Sequence, residues 1–170
     1  MRTFRLLTEE EIECRISEID RQGRYLSLLL YKTARTDAAL LDETFGIEGW
    51  QNDYKSIDGK MYCGIGIKTP DGWVWKWNVG TESNTEAEKG QASDAMKRAG
   101  FVLGIGTELY SSPRIIIPAE KCTIKEYNGK YKCYDRFTVE KIAYNEAQKI
   151  SGLAIQNAAT GKRVFVWQQS

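Results

Sequence analysis

The sequence predicts one α+β domain: N-terminal helices, an antiparallel β-meander of three strands (βββ) followed by a long helix, then a β-rich C-terminal segment. Three observations carry this. Asp58-Gly59 and Pro70-Asp71-Gly72 punctuate three alternating runs, WQNDYKSI, KMYCGIGIKT and WVWKWNVG, and glycine supplies the positive φ that such tight turns need. From about Thr85 onward, Ala92, Ala95, Met96, Ala99, Val102 and Leu103 recur at helical spacing, a core-facing stripe. Past residue 113, short strand-like runs surround Asn128-Gly129, a strong hairpin signal. A chain of 170 residues suffices for one domain with its own core and is short for two.

Each element has a local reason. Thr8 and Glu11 match a capping box, and Ile12, Ile16 and Ile19 follow at four and three residues, predicting a helix that ends near Gly23. The apolar stretch YLSLLLY (25–31) takes no assignment. A second helix is expected over Thr36–Phe45, stopped by Gly46. In the middle strand of the meander Met61, Cys63, Ile65 and Ile67 share one face, with Tyr62, Gly64, Gly66 and Lys68 opposite. Trp73, Trp75, Trp77 and Val79 share a face of the third strand and are expected to pack in the core against an aliphatic neighbour; Trp50 is also expected there. Gly64 and Gly66 then allow close approach of backbone or helix. On the long helix Lys97 projects nearly opposite the apolar stripe, with Arg98 on its flank and Lys89 two turns earlier, and the helix stops at Gly104-Ile105-Gly106. The order is αα–βββ–α. Beyond it, CTIKEY and KYKCY form a hairpin, FTVEKIAY, ISGLAIQN and RVFVWQ are further strands, and Ala158–Gly161 is a turn.

Composition removes several kinds of chemistry. The chain has no histidine, so a Ser-His or Cys-His nucleophile pair, an imidazole base and a histidine metal ligand are all absent. Cys14, Cys63, Cys122 and Cys133 form no CxxC pair, which argues against a zinc site and for reduced thiols in a cytoplasmic chain. None of the Gly-Lys pairs completes a Walker A loop, so the usual ATPase phosphate cradle is missing. Carboxylates such as Asp53, Asp58, Glu86 and Glu88 leave Mg²⁺ chemistry open, although Glu86 and Glu88 also suit a helix start. No apolar run reaches the ~20 residues of a membrane span, and the start MRTFRLLTEEEIE turns acidic too early for a signal peptide. Net charge is +1, but residues 1–96 hold 12 Lys and Arg against 17 Asp and Glu, while residues 97–170 hold 12 against 6. A basic second half fits contact with an anion.

The strings ETFGIEGW and SDAMKRAGFVLGIGTELY resemble two motifs of the single-strand annealing proteins of the Rad fifty-two and phage Sak group. Phe45, Gly46, Gly49 and Trp50 match the first; Asp94, Lys97, Arg98, Ala99, Gly104, Gly106, Leu109 and Tyr110 match the second, in the same order and around the same βββα elements. The resemblance covers residues 8–112 as an annealing core, leaving 114–170 as a β-rich extension of the single domain 1–170. It implies a protein, phage-encoded and cytoplasmic, that binds single-stranded DNA and anneals complementary strands in recombination or break repair without ATP, metal or cofactor. Such proteins form homo-oligomeric rings or helical assemblies, with a single-strand DNA-binding protein as a further partner and no membrane. On this resemblance Lys97 and Arg98 hold the phosphate backbone in a basic groove, Tyr31 falls on a groove tyrosine with Lys32 and Arg35 close by, and Lys60 matches a lysine of an outer DNA site. Lys89 lies on the same helix. Two departures stand out: Phe101 occupies the place of a further arginine, and Leu28–Leu30 fill the region where a groove arginine is expected. The other classes left open are an Mg²⁺-dependent DNA-processing enzyme and a plain single-strand-coating protein.

Overall fold

The N-terminal isoleucines belong to a strand rather than a helix. The computed structural model describes residues 3–81 and 87–170, the side chains of residues 87–89 lying outside that description. Thr8 and Glu11 frame only one 3-10 turn, Glu9–Glu11, in which the Thr8 amide donates to the Glu11 carboxylate at 2.9 Å. Strand β1 (Glu13–Ile19) follows and pairs antiparallel with β2 (Tyr25–Tyr31), the stretch that resisted assignment. A β-bulge explains the correction. Ile12, Cys14 and Ile16 alternate, then the register slips by one residue between Ile16 and Glu18, so Ile16 and Ile19 stand opposite Leu28 and Leu26 on one face. Alternation plus a bulge gives the same four-then-three spacing as a helix.

The chain divides into two compact units, Met1–Leu6 with Lys32–Thr107, and Leu7–Tyr31 with Glu108–Ser170. The first holds helix α1 (Ala34–Phe45), the meander β3 (Trp50–Ile57), β4 (Lys60–Thr69) and β5 (Gly72–Val79), and helix α2 (Ala87–Leu103). Thr33 caps α1, its hydroxyl accepting from the Thr36 amide at 3.4 Å, and Leu40 and Leu41 are its buried residues of apolar type. The meander has the expected order and turns; Asp58 and Gly59 both take positive φ, 51° and 73°. Helix α2 packs against β4 and β5 through a narrow seam in which Ala95 and Ala99 are fully buried with Cys63 and Ile65. At Gly80 a Cβ would collide with the Gln91 carbonyl. So tight a seam leaves Val102, expected in the core, 49% exposed. The helix ends as its glycines predict: at Gly104 (φ 98°) the amides of Gly104 and Ile105 return to the Phe101 and Gly100 carbonyls, each at 3.0 Å, a Schellman closure.

The tryptophans depart from expectation. Register pairs Trp77 with Gly64, Trp75 with Gly66 and Trp73 with Lys68, so their face is the glycine face and not the aliphatic one, which α2 covers. Gly64 and Gly66 make room for indole rings instead of a helix or backbone. Trp73 is exposed and Trp75 and Trp77 are half-buried. Trp50 is likewise half-buried, its indole N–H donating to Asp42 at 2.7 Å.

The second unit is a six-stranded antiparallel sheet of order β11-β10-β9-β1-β2-β6, with β6 (Ile115–Pro118), β9 (Phe137–Tyr144), β10 (Ile150–Asn157) and β11 (Lys162–Gln168). Leu26, Leu28, Ile115, Ile117, Ile150 and Ile155 are buried in it. A separate hairpin joins β7 (Ile124–Tyr127) to β8 (Lys130–Cys133) through Asn128-Gly129. Strands β9 and β10 coincide with the expected FTVEKIAY and ISGLAIQN runs. Among the described residues no helix is long and apolar enough to cross a membrane.

The glycine–tryptophan contact is testable. A Cβ on Gly64 would stand 2.5 Å from the Trp77 ring, so Gly64→Ala forces the ring or strand to move. Overpacking of this kind costs about 1–3 kcal/mol, read as a lower urea midpoint; an unchanged midpoint would show the ring to be free to move.

Candidate nucleic-acid interface

Asp94 organises the exposed turn of α2. Its Oδ2 accepts from the Arg98 Nε at 2.8 Å and from the Thr81 amide and hydroxyl at 3.0 and 3.1 Å, while Lys97 Nζ lies 3.6 Å from Oδ1. Burial pushes the Asp94 carboxyl up, but the Thr81 amide and Arg98 guanidinium outweigh it and hold the group below its ordinary value, so it stays ionised. Helical spacing sets this up: residues three and four apart lie side by side. Lys97 and Arg98 keep 28% and 46% of their side-chain surface exposed. Ion pairs this open are worth only about 0–1 kcal/mol, so these donors exchange to another anion at small cost.

Lys32 has a different place from the expected one. Its side chain and that of Asp37 have no exposed surface, and Nζ lies 2.5 Å from Asp37 Oδ1. The same ammonium donates to the Lys97 carbonyl at 3.0 Å and sits 4.1 Å above the Phe101 ring centroid. Lys32 is thus corrected from a DNA contact to an internal tie between the start of α1 and the C-terminal half of α2. Gly100 is part of the arrangement, since a Cβ there would strike Asp37. So is Phe101: an arginine in its place would set a second cation against a buried one. Burial pushes the Asp37 carboxyl up to about 6, against the pull of Lys32, and its Oδ2 has no hydrogen-bond partner.

The other expected contacts are dispersed. Arg35 is exposed in the first turn of α1, and Lys60 is exposed where β4 leaves its turn. Tyr31 ends β2 in the other unit and donates to Glu13 at 2.5 Å; burial, then the Glu13 carboxylate, push its phenol up to about 12. It lines a cleft of about 910 Å³ with Glu9, Glu10, Glu13, Asp135, Arg136 and Glu140, mostly acidic surroundings. The Lys89 side chain lies outside the described residues, as does Glu86. Asp53 sits on β3 and Asp58 in the turn after it. Among the described residues no three acidic or cysteine side chains converge as a metal site would require.

Sequence reasoning missed one basic face. In the β7–β8 hairpin Lys125 stands opposite Lys132, and Tyr127 opposite Lys130, all four side chains on one face; Tyr127 is 46% exposed. The signal was available, since an Asn-Gly turn fixes register and register puts these lysines together.

A three-stranded meander backed by a helix whose Lys97 and Arg98 keep exposed side-chain surface defines the first unit as an α+β fold. The chain belongs to the Rad52/22 family of double-strand break repair proteins, whose family description matches residues 5–131. That span runs past the two resembling motifs and into the basic hairpin. No curated protein matches the chain.

Removing Lys32 tests the internal tie. Lys32→Met leaves a buried carboxylate without its nearest counter-charge, a loss of about 3–5 kcal/mol at pH 7.5 by urea unfolding. An acid whose folded pKa is raised contributes stability present below its unfolded value and lost as pH climbs through the folded one. Because burial already lifts Asp37 to about 6, the variant recovers part of its deficit as pH falls from 7.5 toward 5. A deficit independent of pH would contradict an ionised Asp37.

Proposed function

We propose that this chain, as one DNA-annealing domain, binds single-stranded DNA and anneals complementary strands in recombination or double-strand break repair. It would do so without ATP or metal, as a homo-oligomeric ring or helical assembly, in a phage-encoded system with a single-strand DNA-binding protein as its companion. The observation that carries this reading is the Asp94–Lys97–Arg98 turn, in a chain that belongs to a family of break repair proteins. Annealing needs a grip on the backbone that leaves bases free to find their complement. Lysine and arginine supply phosphate contacts that carry no sequence information. Two contacts per subunit are weak alone, and an oligomer multiplies them along one strand. Lys97 and Arg98 take the phosphates, Asp94 positions them, and Lys32 holds the helix turn behind them. Arg35 and Lys60, both exposed though apart from this turn, and Lys89 and Tyr31 remain proposed contacts.

The test is salt dependence. Each phosphate contact to a single strand contributes about −0.7 to the slope of log K against log salt. Lys97→Ala/Arg98→Ala should therefore flatten the slope by about 1.4 per subunit engaged and weaken binding across all sequences alike, with sedimentation unchanged. An unaltered slope would move the backbone grip elsewhere. Tight coating of single strands that slows their pairing would instead favour a plain single-strand-coating protein.

A further inference from the structure

Exposed aromatic surface beside a well-buried core calls for a reason. On β5, Trp73 is 41% exposed, and the rings of Trp73, Trp75 and Trp77 follow one another with centroids 6.5 and 5.8 Å apart, their planes inclined by 39° and 24°. Three atoms of the Trp77 ring lie 2.5–2.7 Å from where a Gly64 Cβ would stand, and three of the Trp75 ring 2.9–3.0 Å from that of Gly66. Near-equal distances to several ring atoms mean that each indole lies with one face on the strand, turning the other face outward. The result is a shallow aromatic floor. Over Trp77 it is topped by the Lys55 ammonium, 4.4 Å from the ring centroid; over Trp73 and Trp75 no such partner intervenes among the described residues.

Charge says what kind of partner fits. Lys68 stands directly across from Trp73, and Lys55 and Lys60 share the face, against one carboxylate on its strands, Asp53. Asp58 and Asp71 are confined to the turns at its ends. Lysine is depleted from the cores of protein–protein interfaces, whereas aromatic rings interleaved with cations suit a polyanion that carries flat bases. We propose that this face binds the bases of single-stranded DNA, Trp73 and Trp75 each stacking a base while Lys55 and Lys68 meet the adjoining phosphates. The inference rests on the reading of the chain as a single-strand binder but names a second place. Helix α2 lies on the opposite face of the sheet, where Asn78 reaches the Arg98 carbonyl at 3.5 Å.

The experiment compares affinity for oligothymidine with that for an abasic strand of equal length and charge, at one salt concentration. Wild type should prefer the intact strand by about tenfold or more, the scale of aromatic base stacking. Trp73→Ala/Trp75→Leu, in which leucine still covers Gly66, should lose that preference and keep its affinity for the abasic strand. Equal affinities in wild type, or a preference that survives the variant, would overturn the proposal. So would a variant that keeps its base preference but sediments at a lower mass, which would make the face a contact between copies. Lys97→Ala/Arg98→Ala should weaken both strands alike and leave their ratio intact. Absence of base preference alongside that weakening sinks the aromatic site alone, and no binding of either strand by wild type sinks both readings.

Discussion

A lysine ammonium and an aspartate carboxylate, both without exposed surface and 2.5 Å apart, tie together the two helices of the first unit. Placing either charge in a low-dielectric interior alone costs several kcal/mol, which close pairing and further hydrogen bonds must offset. Lys32 obtains them from Asp37, the Lys97 carbonyl and the Phe101 ring. Two of those partners belong to α2 and one to α1, so the ammonium ties the two helices to each other. That tie makes a buried ion pair useful for specificity, even where an apolar pair of equal volume would be as stable.

The consequence reaches the surface one residue away. Lys97 offers its carbonyl inward to Lys32 and its side chain outward beside Arg98 and Asp94. The buried tie therefore fixes the turn whose exposed side is proposed to hold phosphate. Asp94 works from the other direction, joining both cations to Thr81 at the end of the meander. The sheet contributes a third constraint, since glycine on β4 opposite tryptophan on β5 lets indole rings lie flat where any Cβ would lift them. The paired cations of α2 on one side of the sheet and the aromatic surface on the other are both carried by the same meander.

The meander, both helices of the first unit, the Asn-Gly hairpin and strands β9 and β10 were legible because their signals are local: turn glycines, a cap, and a single period. Three features were not. Ile12, Ile16 and Ile19 fit a helix as well as a bulged strand, and only pairing with β2 separates the two. The tryptophans share a parity with both possible faces of the neighbouring strand until register is known, and register placed them over glycine. Lys32 reads as a surface cation in any linear view; its burial depends on Asp37, Gly100 and Phe101 arriving from two helices. At the site Lys97 and Arg98 share one partly exposed helix turn with Asp94, a spacing readable from the sequence, whereas Tyr31 ended in mostly acidic surroundings that no short string encodes.

The measurement that bears most directly on this account is the rate at which two complementary oligonucleotides pair without nucleotide or metal, with wild type and with Lys97→Ala/Arg98→Ala. The account predicts strong acceleration by wild type and its loss in a variant that still folds and still assembles. Equal acceleration by both proteins would contradict it, because the turn that the buried pair holds in place would then have no part in annealing.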